Sequence, residues 1–150
     1  MFKKILVPLD GSKLAENALS CIKILAEGGK VGEVILLTVV RIDIPYNEIP
    51  ADFNFHAMRE QILDKFRKYL ARIQSRLSKR DIKVKTMIVE SNNPAQSIID
   101  VAEKNGADLI VMTTHGYTGI KKMLIGSVAF KVLHESNVAV LLSRAKKAKG

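Results

Sequence analysis

Five short apolar runs punctuate this chain, and between most of them lie segments whose apolar residues recur with a helical period. Phe2 to Leu9 predicts a strand buried on both faces. Asp10-Gly11-Ser12 supplies a turn, with Ser12 placed to cap the helix that follows. Leu14, Ala18, Ile22 and Leu25 then repeat at helical spacing until Gly28-Gly29 stops the pattern. Val34 to Val40 predicts a second buried strand, after which periodicity is lost from Arg41 to Phe53, an excursion loop carrying Pro45 and Pro50. Met58, Ile62, Phe66, Tyr69, Ile73 and Leu77 mark a long amphipathic helix with Arg, Lys, Glu and Asp on its other face. Ile82 to Val89 alternates apolar residues with Lys and Thr, which suits a strand at a sheet edge. Asn93-Pro94 gives a helix start, with Asn at the cap and Pro at the first helical position. Ile98, Ile99 and Ala102 face inward on that helix, and Gly106 ends it. Leu109 to Met112, Ser127 to Glu135 and Val138 to Leu142 complete the series as strand, helix and strand.

Strands separated by helices pair in parallel through right-handed crossovers. The expected fold is therefore α/β: one domain over residues 1–150, a doubly wound five-stranded parallel sheet ordered 3-2-1-4-5 with helices on both faces. Residues 144–150 are expected to be a frayed tail. In that order the sheet reverses between strands one and four, and ligands occupy the crevice at the carboxyl ends of those strands. Asp10 leaves strand one there and Thr113 leaves strand four. From Thr113 to Val128 runs a loop bearing Gly116, Gly119 and Gly126 that leads into a Gly-Ser helix start. Backbone amides exposed by glycines, followed by a helix N-terminus, form a receptor for phosphate. Ser127 is suited both to capping that helix and to donating to phosphate. The loop has neither a Walker lysine nor Gly-x-Gly-x-x-Gly spacing, so those two phosphate motifs are absent.

Composition narrows the class. Apolar residues make up 47% of 150, enough for a core, and no run approaches the roughly 18 residues of a membrane span. A cytoplasmic location is the expectation. The single Cys21 shares a helix face with Leu14, Ala18 and Leu25 and reads as a small core residue. The net charge of +9 comes largely from Arg59 to Lys85 and from the tail after Arg144. With aromatics at 5% and no basic-aromatic platform, solvated surface explains that charge better than nucleic acid does. His56 and His134 lack partners at metal-ligand spacing, so no dedicated zinc site is expected. His115 reads as a loop organiser rather than a catalyst, because no recognisable nucleophile-and-base constellation accompanies it.

The stretch Lys3-Lys-Ile-Leu-Val-Pro-Leu-Asp-Gly-Ser12 resembles the first strand and turn of the universal stress protein family. Val34-Ile-Leu-Leu-Thr-Val39 resembles that family's second strand, and Asn93-Pro94-Ala95 the start of its third helix. Thr114-His115-Gly116, nine residues, then Gly126-Ser127-Val128 is similar to the nucleotide-binding signature Gly-x2-Gly-x9-Gly-(Ser/Thr), and the likeness extends over essentially the whole chain. The resemblance implies an adenine nucleotide alpha hydrolase-like fold and an ATP-binding regulatory protein of the stress response. It implies Pro8 and Asp10 beside the nucleoside and the Val39 backbone at the adenine. Thr113, Thr114, His115, Gly116, Tyr117, Thr118, Gly119, Gly126, Ser127, Val128 and Ala129 would surround ribose and phosphates. A Mg or Mn ion would be held by phosphates and water near Asp10, with no direct protein ligand set. A homodimer joined through Val138 to Leu142, acting on unspecified protein partners, is implied as well. Two positions depart from the pattern: Thr113 stands where the signature has Gly, and Asn92 where Gly often precedes the third helix. A nucleotide-free dimerisation module of the same family is one alternative function. A slow ATP hydrolase drawing on Asp10 and His115 is the other.

Overall fold

The computed structural model describes residues 1–43, 49–115 and 125–144. Its strands are β1 (Phe2–Pro8), β2 (Val31–Val40), β3 (Lys83–Glu90), β4 (Leu109–Thr113) and β5 (Ala139–Ser143). Its helices are α1 (Ala18–Glu27), α2 (Phe55–Ser78), α3 (Pro94–Lys104) and α4 (Ser127–Glu135), with a 3-10 turn at Ala15–Asn17 ahead of α1. All strand pairs are parallel in the order β3-β2-β1-β4-β5, as the alternation of elements required. None of the helices described is long and apolar enough to cross a membrane.

The period-2 geometry of the strands divides the core into two layers. Ile5, Val7, Val34, Leu36 and Val111 face α1 and α2, where Leu19, Ile22, Leu70, Ile73 and Leu77 meet them. Leu6, Ile35, Leu37, Ile110 and Met112 face α3 and α4, against Ala95, Ile98, Ile99, Ala102, Ala129 and Val132. Cys21 is partly buried against the first layer, in keeping with a packing role.

Local chemistry sets the helix starts, with two corrections to expectation. Asn93 caps α3 through its side-chain oxygen, which accepts from the Gln96 amide at 3.2 Å, and Pro94 follows at the first helical position. Asn54 does the same for α2 through the Ala57 amide. Ser12 accepts from the Ala15 amide at 3.1 Å, but the element it caps is the 3-10 turn, and α1 begins only at Ala18. Ser127 is not the cap of α4: Gly126 holds that position, with no side-chain hydrogen bond, and Ser127 is the first helical residue. Its hydroxyl is thus left free of capping duty.

One residue explains why the sheet opens where it does. The Leu9 amide donates to Leu37 of β2 and the Lys4 carbonyl accepts from Asp108 beside β4, so odd residues of this stretch of β1 bond toward β2 and even ones toward β4. Pairing with β4 covers Ile5–Leu109 and Leu6–Ile110 and then stops. The next even residue is Pro8, which has no N–H to give. β1 stays paired to β2 as far as Pro8–Leu37, while β1 and β4 part. The crevice begins at that parting.

Candidate functional site

Between the carboxyl ends of β1, β2 and β4 and the first turns of α3 and α4 lies a cavity of about 300 Å³. This is at the lower end of the roughly 300–1,000 Å³ typical of small-molecule pockets. Pro8, Leu9, Asp10 and Ala15 come from β1 and the turn after it, Leu37 and Val39 from β2, and Met112, Thr113 and Thr114 from β4 and its exit. Pro94 and Ile98 come from α3, and Gly126, Ser127, Val128 and Ala129 from the start of α4. Asp10 and Ser127, 117 positions apart in sequence, therefore line one space (127 − 10).

Each rim segment is held in place by its own bonds. The Asp10 carboxylate accepts from the Ser12 amide at 2.9 Å, which folds the turn after β1 back on itself. Gly11 in that turn has φ +87°, a conformation L side chains rarely adopt, and an added Cβ would also meet the Phe66 ring at 3.4 Å. At the other rim the Thr114 amide donates to Ser143 of β5, and the Gly126 amide donates to the Thr114 carbonyl. This second bond clasps the two ends of the loop together. Gly126 has ordinary backbone angles, φ −69° and ψ 162°, so the requirement is space: a Cβ there would lie 3.2 Å from the Thr114 carbonyl oxygen.

Thr113, the departure from the glycine signature, fits without backbone strain. It is the last residue of β4, and among the described residues the only non-glycine with positive φ is Asp81. The buried Thr113 hydroxyl donates to the His115 carbonyl at 2.7 Å, tying down the first turn of the loop. Asn92 likewise needs no left-handed conformation.

The lining carries little side-chain charge. Asp10 is the only charged side chain among the described residues of the lining. Positive potential comes from the N-termini of α3 and α4, which reach the cavity through Pro94 and Ser127; such termini carry about half a unit charge each. Among the described residues no group of three His, Cys, Asp or Glu side chains is placed to hold a metal ion. His115 is half-buried beside the Thr114 hydroxyl, 3.2 Å from its Nδ1, and is not part of the lining. Gly116, Tyr117, Thr118 and Gly119 lie outside the described residues, as do Lys121 and Lys122.

The five-stranded parallel sheet in this order has counterparts among known proteins. The model of the universal stress protein family matches residues 1–144. The chain belongs to that family. Two relatives from Methanocaldococcus jannaschii are each 33% identical: universal stress protein MJ0531, over 98% of this chain and 85% of that protein, and MJ0577, over 97% of both. The solved structure of MJ0577 superposes with a TM-score of 0.83 at 35% identity, covering 99% of each chain. A universal stress protein solved in complex with cAMP has the same fold, with a TM-score of 0.66 at 20% identity over 97% of this chain and 98% of that one.

The lining also contains residues that sequence reasoning passed over: Leu9, Ala15, Leu37, Pro94, Ile98 and Met112. Leu37 had a signal, since it sits two positions before Val39 and shares its face of the strand. Ile98 is one helical turn after Pro94, so the cap at Asn93 located both.

Proposed function

We propose that this universal stress protein binds an adenine nucleotide, ATP in the first instance, in the crevice between β1 and β4, and acts as a regulatory protein whose occupancy is sensed by partners. The observation that carries the reading is the joint lining of one cavity by Asp10, by Leu37 and Val39, and by the start of α4. Apolar walls from Pro8, Leu37, Val39 and Ile98 suit a purine. The amides at Ser127 and Val128 point from a helix N-terminus and suit phosphate oxygens. Asp10 would take a ribose hydroxyl or a water of the metal shell. With Asp10 as the one described charge in the lining, a Mg or Mn ion would arrive with the phosphates and keep most of its waters, as Mg²⁺ ordinarily does. The relative solved with cAMP supports an adenine nucleotide as the ligand class.

Titration calorimetry with ATP, AMP and cAMP, each with and without Mg²⁺, tests the reading. Saturable heat with at least one of them is expected, strengthened by Mg²⁺ for ATP. No heat and no thermal shift at millimolar nucleotide refutes it.

The same reading includes a homodimer through the last strand. β5 forms one edge of the sheet, with Val140, Leu141 and Leu142 only half-buried, and α4 beside it exposes Phe130 and Leu133. Light scattering should give the mass of two chains. Phe130→Glu, at a position 59% exposed, should reduce it to one without unfolding the protein; a monomeric wild-type chain would refute the dimer.

A further inference from the structure

Lys131 stands one helical turn after Ser127 on α4, on the same side of the helix as that residue of the cavity lining. Helical side chains lean toward the N-terminus of their own helix, and this one carries its ammonium across to α3. The Lys131 Nζ donates to Asn93 Oδ1 at 3.5 Å, and Asn93 is the cap of α3, next to Pro94 of the lining. That oxygen already accepts from the Gln96 amide at 3.2 Å, so the lysine shares a neutral acceptor. Among the described residues Lys131 forms no ion pair, and neither α3 nor α4 has an acidic residue in its first turn. The placement runs against the usual order. Helix N-termini bear partial positive charge and attract acidic groups, whereas lysine is favoured at the opposite end. Here a cation rests between two N-termini, so three positive centres are grouped on one rim of a crevice whose lining has Asp10 as its one described charge. An anion bound beside them relieves their mutual repulsion.

We propose that Lys131 is a specificity-determining residue of the crevice: its charge makes affinity rise with the phosphate charge of the ligand, favouring ATP over AMP and AMP over uncharged adenosine. This rests on the nucleotide-binding reading above and adds a ranking within that ligand class. The ammonium acts through space from the rim, so the effect needs no rearrangement of the protein. A lysine in such a place is a point charge on a flexible stem, and its influence is weakened by salt.

Lys131→Gln removes the charge and keeps a polar side chain. By titration calorimetry at low salt the variant should bind ATP about fivefold and AMP about twofold more weakly than wild type, with adenosine unchanged. At about 1 M NaCl, where the screening length is about 3 Å, the ATP deficit should largely vanish. Lys131→Arg should restore the wild-type ranking. Without nucleotide, Lys131→Gln should melt at the wild-type temperature or slightly above it, because a cation has been withdrawn from two helix N-termini. A lysine that merely braces α3 against α4 would behave otherwise: its loss would lower the melting temperature and weaken ATP and AMP by the same factor, and that pattern overturns the proposal. Unchanged ATP affinity in Lys131→Gln, with wild type binding normally, also overturns it and spares the nucleotide reading. Absence of binding by wild type overturns both together.

Discussion

The layer beneath α1 and α2 and the layer beneath α3 and α4 share one sheet but are filled differently. α2 is 24 residues long and delivers Tyr69, Leu70, Ile73 and Leu77 into the first layer, large side chains that pack against Ile5, Val7 and Leu36. α3 and α4 are 11 and 9 residues long and contribute Ala95, Ala102 and Ala129 alongside Ile98, Ile99 and Val132. Where Ala95 and Ala129 begin those helices, little bulk reaches the strand ends, and β1 has already parted from β4 at Pro8. One layer is thus a support and the other a receptacle. Topology places the gap between β1 and β4, and side-chain size at a few positions keeps it open on one face.

Substitutions on each side should separate these roles. Ile73→Ala in the fully buried support layer should cost about 2–5 kcal/mol. For a chain of this size that lowers Tm by roughly 10 °C, read by calorimetry or circular dichroism. Nucleotide affinity of the folded variant should be unchanged, and a parallel loss of affinity would show that the layers are not separable. Ala129→Leu fills the receptacle instead. Nucleotide affinity should fall by more than tenfold, about 1.4 kcal/mol or more, with a Tm change of only a few degrees. Gly126→Ala presses a methyl group on the Thr114 carbonyl and loosens the clasp at the α4 rim of the cavity, for an expected loss of about fivefold in affinity. Asn93→Ala removes the α3 cap. It should lower stability by about 1 kcal/mol, detectable as a Tm decrease of roughly 3 °C, and should affect ATP binding least.

Much of the fold could be read from the chain because its signals are local. Leu109 to Met112 is too short and too uniformly apolar for anything but a buried strand, and Asn93-Pro94 marks a helix start by two independent preferences. α2 was harder. Leu63 and Leu70 are buried while Met58 and Ile62 are only partly so, because the helix turns a broader stripe inward than its first apolar residues suggested. The polar half of the cavity announced itself through glycines, Asp10 and Ser127, residue types with few reasons to cluster at strand ends. The apolar half did not. Leu37, Ile98 and Met112 differ in no chemical respect from core residues, and only the gap left by Pro8 turns them into a wall. Tyr69 was legible as part of an apolar stripe, but its place beside the Asp10–Ser12 turn is a property of three-dimensional packing and leaves no mark on sequence.

The two borders of the sheet are unlike, and this limits how copies can join. β3 forms one border and exposes Lys83, Lys85 and Glu90. Charge along an unpaired strand repels a second strand from docking there. β5, on the opposite border, has no charged residue from Ala139 to Ser143. In the homodimer proposed above, joining through β5 would turn the lysine-bearing border outward on both copies, which disfavours strand-on-strand growth beyond the pair.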